Sequence, residues 1–304
     1  MKLIDFMTQF SDEETCKQHF KTYRERQGIV CKKCTGKEHR WLVGKSQFEC
    51  KTCGFRTTLK SGTIMENSRL SYQTYFQIMF LMTNTKKGVS AKEMQRQLSH
   101  KRYMTIWTIM HRIRALMGKR DDRYKLKDMV EFDEGFFETS VPQYVKGKLK
   151  AGKGSQRQVN IAVMAESTPL IHPDTNEEER SCRYFKMKVL GSHTSESVED
   201  TIKENLDPKT VVFTDKSKSY SKIEKYVEAH ISVESGKETT IKTLKWVHIA
   251  ISNAKRNLLG VYHGVSSQYL QNYLNEFVYK INRRYLDSTF ERLALIAVIN
   301  QSVN

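Results

Sequence analysis

The chain has 304 residues, 38% of them hydrophobic, with 51 lysines and arginines against 34 aspartates and glutamates, a net charge of +17. That is enough apolar sequence for a sizeable core and about two domains at roughly 150 residues each, which excludes a disordered tail. No stretch approaches the ~18 to 20 unbroken apolar residues of a membrane span, and the N-terminus lacks the compact apolar core of a secretory signal, so the expectation is a cytoplasmic protein with no membrane partner. The basic excess favours a polyanion, nucleic acid first, over a neutral partner; an indifferent basic surface is the alternative that composition leaves open.

Ser11 followed by Asp12, Glu13 and Glu14 has the form of a capping box, with Ser11 as N-cap, and predicts a helix to about Arg26 that Gly28 stops. Next come Cys31-x-x-Cys34, fifteen intervening residues, and Cys50-x-x-Cys53. Each CxxC turn aims two thiolates at one point, and this spacing fits a four-cysteine zinc site. A closed shell of four thiolates leaves no position for a substrate, so the Zn2+ it predicts is structural. The runs Trp41 to Gly44 and Gln47 to Glu49 read as strands of a small zinc ribbon. Cys16 and Cys182 stand alone and read as core thiols.

From Ser71 the pattern turns helical, with Tyr72, Tyr75, Phe76, Met79 and Phe80 on one stripe. Ser90-x-x-Glu93 starts a short helix ending near Leu98. After the polar break Ser99 to Arg102, a third helix carries Tyr103, Ile106, Trp107, Met110, Ile113 and Met117 inward, with Arg102, His111, Arg112 and Arg114 directed elsewhere. Short helix, tight turn and basic helix is the layout of a helix-turn-helix, with Arg102, Arg112 and Arg114 as DNA contacts. A structural bundle has the same pattern.

Asp128 to Phe137 delivers an acidic pair, Asp133-Glu134, on a short β-prone run. Beyond it Lys146 to Gly154 is a glycine-interleaved basic loop whose Lys148, Lys150 and Lys153 suit phosphate contact, or a solvated hairpin tip. Strands are expected at Val159 to Ala165 and Tyr184 to Val189, separated by an exposed acidic insertion from Glu166 to Glu179. Thr210 to Asp215 reads as a buried strand ending on a carboxylate. Asp215 alone fits a turn as well; with Asp133 it forms a candidate metal site, because two converging carboxylates need a cation and hard oxygen ligands suit magnesium. Further on, Ser252 can cap a short helix that Gly260 ends, which places Asn253 in its first turn with Lys255 and Arg256 behind. His248 reads as a structural histidine, or one that positions a water or phosphate. A long amphipathic helix is expected from Ser266, and Ser288-x-x-Glu291 caps a last one.

Taken in order, these blocks resemble the bacterial insertion-sequence transposases of the DDE type, in particular the ISXO-like group with an N-terminal zinc ribbon. The resemblance rests on the four cysteines, Gly62-Thr63-Ile64, Lys86 to Ala91, Glu131 to Glu134, Phe213 to Asp215, Ile251 to Asn253, Leu259 to Val265, and Tyr273 through Arg284. It implies a multidomain α+β chain: an N-terminal helix and zinc ribbon over 1–66, a helix-turn-helix bundle over 67–125, and an RNase H-like α/β catalytic domain with a mixed sheet over 126–304. It also implies an enzyme that binds the terminal inverted repeats of its element on double-stranded DNA. Strand cleavage and transfer would use two Mg2+ or Mn2+ ions held by Asp133, Asp215 and a third ligand on a following helix, with the protein a homo-oligomer once assembled on DNA. Most such enzymes use Glu in third place; here the role goes to Asn253, with Lys255 and Arg256 holding phosphates and Glu134 or Glu276 supplying the charge that an amide lacks. A non-catalytic zinc-ribbon DNA-binding protein and an RNase H-like nuclease acting on RNA are the alternatives.

Overall fold

The computed structural model describes residues 1–141, 149, 155, 157–171, 178–191, 194–220, 222–234, 236 and 242–298. Lys148, Lys150 and Lys153 lie outside the described residues. The chain divides into two compact units, one formed by Met1–Met117 with the segment that begins at Tyr285, the other by Gly118–Arg284.

In the first unit, α1 (Leu3–Gln9) leads to α2 (Glu13–Gln27). The N-cap of α2 is Asp12, not Ser11: its carboxylate accepts the Thr15 N–H at 2.9 Å, and Ser11 donates to that carboxylate. Gly28, at φ +80°, ends the helix in a conformation that residues with a Cβ avoid. Three short strands follow, β1 (His39–Leu42), β2 (Gln47–Cys50) and β3 (Arg56–Thr58), in an antiparallel sheet of order β1-β2-β3. Trp41 pairs with Phe48 across the first two, their rings 4.6 Å apart. Sequence patterning shows two of these strands; β3 is too short to carry a period. Then come α3 (Tyr72–Asn84), capped by Ser71, α4 (Ala91–Gln97), capped by Ser90, and α5 (Tyr103–Asp121).

The last helix of the chain, α9 (Thr289–Ala297), belongs to this unit, although the sequence groups it with the catalytic region. The reason is aromatic packing: Phe290 is fully buried against Phe6, Phe10, Phe76 and Phe80, with ring centroids 5.3 to 6.0 Å away. Apolar burial of this size outweighs adjacency in sequence.

The second unit is built on a mixed five-stranded sheet of β4 (Met129–Glu138), β5 (Gln158–Ile171), β6 (Glu178–Val189), β7 (Val211–Asp215) and β8 (Ala229–Val233). Their order is β6-β5-β4-β7-β8; β4, β5 and β6 are antiparallel neighbours, and β7 and β8 run parallel to β4. Of the acidic run expected to be an exposed insertion, the described residues are strand, since β5 extends to Ile171 and β6 begins at Glu178; residues 172–177 lie outside the described residues. Glu166 within it is buried and accepts the Lys127 N–H at 2.8 Å.

Strand alternation on β4 sorts two cores. Val130 and Phe132 face α6 (Ser195–Asn205) together with Val198, Ile202 and Val212. The opposite face, with Phe137, Ile161, Val163 and Phe213, is covered by α7 (Lys245–Tyr262) and α8 (Ser267–Ile281) through Val247, Ala250, Ala254, Leu270 and Leu274. Glu131 and Asp133 share that second face, so carboxylates stand where alternation alone calls for apolar side chains.

Candidate active site

Asp133 and Asp215 come together through strand register. The parallel pairing of β4 and β7 matches Val130 with Val212 and Glu131 with Phe213. Two residues beyond the last paired positions, Asp133 and Asp215 lie on the same face, near enough for the Asp215 charge to act on the Asp133 carboxyl. Each carboxylate is held by the chain that follows it: Asp133 Oδ1 accepts the Glu134 N–H at 2.8 Å, and Asp215 Oδ1 accepts the Ser217 N–H at 3.1 Å.

Helix α7 brings up the third group. It begins at Lys245, not at Ser252, and runs through Gly260 to Tyr262, where His263 in the left-handed region ends it. No side chain of its own segment caps its first turn; the buried Glu131 does so from the strand, its Oε2 accepting the Trp246 and Val247 N–H groups at 2.7 and 3.1 Å. A carboxylate suits the positive end of the helix dipole. From that anchor α7 follows β4. His248 Nε2 lies 3.7 Å from Asp133 Oδ2, Ile251 packs over Gly135, and Lys255 Nζ stands 5.5 Å from the centre of the Phe137 ring. A Cβ at Gly135 would stand 3.3 Å from Ile251, so glycine there lets the helix sit close.

The earlier start of α7 changes the position of Asn253. It lies in mid-helix, five residues beyond His248, and at ~100° per residue it projects about 140° away around the axis. Its Oδ1 accepts from Arg256 Nη2 at 2.9 Å. The structure thus brings His248, rather than Asn253, against Asp133, and it leaves Lys255 on the His248 flank.

The two glutamates considered as supplementary charges also separate. Glu134 points to the other face of β4, where it is bonded by Asn160 and by the buried Tyr220 hydroxyl. Glu276 is bonded by the Tyr262 hydroxyl at 3.3 Å, about 21 Å along α7 from His248. Burial pushes the Asp133 carboxyl up to about 6; the Glu134 N–H and His248 oppose this, while the charges of Asp215 and Glu134 add to it. Burial, then Glu134, Asp133 and Asp215, drives the Tyr220 hydroxyl far upward, so it stays a protonated donor. The sequence assigns no role of their own to Tyr220, Asn160 and Glu131; the one available signal was the shared parity of residues 131 and 133.

Residues 125–282 match the ISXO2-like transposase domain. The chain belongs to the ISXO2-like transposase family. The match spans the sheet and α6 to α8, and thus Asp133, Asp215 and His248 of the transposase domain. No curated protein matched the chain.

In the first unit, Cys31, Cys34, Cys50 and Cys53 form a group whose sulfurs all lie within 4.8 Å of one another, a cluster that could bind zinc. Among the described residues it is the group drawn tightly enough to surround one ion as it stands; the carboxylates and His248 are more widely set. The Gly36 N–H favours the Cys34 thiolate, but the bonds it shares with Cys53, Cys50 and Cys31 carry its thiol up to about 12. The N–H groups of Cys53 and Thr52 help bring Cys50 down to about 6.

The expected DNA-contacting arginines also differ in placement. Arg102 and Arg112 are exposed, whereas Arg114 is 1% exposed in the interior of its unit and is not part of that surface. No helix among the described residues is long and apolar enough to cross a membrane.

Proposed function

We propose that the protein is an insertion-sequence DNA transposase that cleaves and joins strands at Asp133, Asp215 and His248, with His248 in the place the sequence assigns to Asn253. The observation that carries this is the convergence of Asp133 and Asp215 on one sheet face with His248 3.7 Å from Asp133. The strand order, which counts as 3-2-1-4-5 within the second unit, supports an RNase H-like domain.

The donor set fits a divalent cation. Two carboxylates on one face, one of them desolvated and pushed toward its neutral form by its neighbours, gain from a cation that relieves their repulsion. Asp133, Asp215 and His248 would hold it. Bound Mg2+ or Mn2+ would lower the pKa of a water or a DNA 3′-hydroxyl for in-line attack on a phosphodiester and offset charge on the leaving oxygen. The residues themselves do the rest. Glu131 fixes α7 so that His248 meets Asp133, Tyr220 and Asn160 hold Glu134 on the other side of the strand, and Lys255 offers a cation to a phosphate beside the site. In the first unit, the four-cysteine cluster with its three strands serves as a structural zinc ribbon. Helices α4 and α5 act as a helix-turn-helix on double-stranded DNA, and the chain pairs element ends as a homo-oligomer.

Incubation of the purified chain with Mg2+ or Mn2+ and DNA carrying the element ends tests this. Nicking and joining are expected from the wild type and not from Asp133→Ala or Asp215→Ala. Equal activity of all three, or none from the wild type under either ion, overturns the assignment.

A further inference from the structure

A groove of about 620 Å³ in the first unit runs between the 67–70 segment and the N-terminal half of α5. One wall presents the exposed Arg69; the other presents Arg102 and Arg112, with His100 at one end. No carboxylate lines it among the described residues. The walls are tied together, because Arg112 Nη1 donates to the Ile64 and Glu66 carbonyls at 3.2 and 2.9 Å, holding the turn that precedes Arg69 against the helix.

Helix α5 adds a second feature along this groove. Met104, Thr108 and Arg112 recur at intervals of four, with Thr105 three before Thr108, so together they form one stripe on its surface. Met104, 60% exposed, places an apolar side chain on that stripe. The stripe begins directly after the turn from α4, the position from which a helix of this layout enters a major groove.

Resting on the DNA-binding part of the function proposed above, we infer that one strand of duplex DNA seats its phosphates between Arg69 and Arg102, with Arg112 fixing the wall beside them. Met104, Thr105 and Thr108 then read base edges in the adjoining major groove. The chemistry of the two sets is complementary. Three guanidinium groups without an opposing carboxylate suit a row of phosphates. A methionine and two threonines offer apolar contact to thymine methyls and hydroxyls to base-edge donors and acceptors. Arg69, drawn from the segment between the three-stranded sheet and the helices, is the member that helix-turn-helix patterning does not reveal.

The test is selection by the full-length chain from a pool of duplexes with a randomised 16-base-pair core, followed by binding titrations of the enriched duplex at several salt concentrations. The wild type should enrich a defined motif. Thr105→Asn and Thr108→Asn should change the preferred base at one or two positions, each losing about tenfold in affinity for the wild-type motif. Arg69→Ala and Arg102→Ala should keep the motif but weaken binding to all sequences, each lowering the slope of log affinity against log salt by about 1. Zinc content and circular dichroism check that each variant is folded. The inference is overturned if the wild type enriches no motif, if the threonine variants enrich the same motif at unchanged affinity, or if Arg69→Ala leaves the salt slope unchanged. Asp133→Ala carried through the same selection separates the two proposals: intact motif recognition without strand cleavage by any variant would leave this inference standing while the catalytic assignment fails.

Discussion

His248 Nε2 lies 3.7 Å from Asp133 Oδ2, on a helix whose first turn is capped by Glu131 from the same strand as the aspartate. Glu131 and Asp133 stand two positions apart on the strand, and the capped Trp246 and His248 stand two positions apart on the helix. One carboxylate therefore sets the register that brings the imidazole to the other. An imidazole in the third place also bears on the choice of metal, because nitrogen donors favour Mn2+ over Mg2+ more than an all-oxygen set does. Cleavage is expected to be faster with Mn2+ than with Mg2+ at equal concentration, and His248→Glu should shift the preference back toward Mg2+. Initial rates for the two proteins under each ion measure this.

The Asp133 carboxyl, pushed up to about 6 from its ordinary 3.8, gives a pH signature in the metal-free protein. The folded state then holds a proton between about 4 and 6 that the unfolded chain has released, so stability falls as pH rises through that window. Ionisation above pH 6 costs about 2 to 3 kcal/mol. In buffer free of Mg2+ and Mn2+, with the zinc of the cysteine cluster retained, Asp133→Asn should raise Tm at pH 7, with the gain disappearing near pH 4. Added Mn2+ should stabilise the wild type and leave the variant unaffected. Thermal unfolding across pH, with and without metal, decides it.

The cysteine spacing made the four-cysteine cluster legible, because CxxC turns need only local chain to converge; sulfur separations of 3.6 Å for Cys31 to Cys53 and 3.5 Å for Cys34 to Cys50 agree. The acidic site was legible only in part. Asp133 lies within a strand-like run and Asp215 ends one, but their meeting depends on the register of strands whose aspartates are 82 residues apart. Asn253 takes the third place in the sequence through the resemblance to DDE-type transposases, and Ser252, which looks like a helix start, sets it in a first turn. The true start is capped by a residue more than a hundred positions earlier, which local patterning cannot show. Arg114 failed for a related reason: an arginine on a basic helix is normally solvated, and its burial follows from tertiary packing around α5.

The four-cysteine cluster should carry one zinc per chain. Cys50→Ser is expected to release it, and with it folding free energy on the order of 10 kcal/mol, so that the first unit unfolds at a lower temperature or fails to fold. Metal analysis of the purified variant and its thermal unfolding check this, and undiminished zinc content would rule out the four-thiolate arrangement.

Glu131 is expected to act through position. Glu131→Ala leaves two N–H groups of α7 without their acceptor in a buried setting and should cost about 2 to 4 kcal/mol of stability. Glu131→Gln keeps an acceptor oxygen and should recover most of that loss. Cleavage by the glutamine variant should survive within about tenfold, since Glu131 neither holds metal nor touches DNA in this account. Chemical denaturation of both variants, with cleavage rates beside it, distinguishes positioning from direct participation.

The most direct test of the catalytic assignment is the rate of strand cleavage by His248→Ala and Asn253→Ala, measured side by side on the same end-bearing DNA with Mn2+. A ligand placed against Asp133 predicts that His248→Ala loses at least about a hundredfold, the loss expected when a metal site is disturbed, while Asn253→Ala stays within a few-fold of wild type. Loss of activity in Asn253→Ala with His248→Ala unimpaired would contradict it and return the third place to the asparagine.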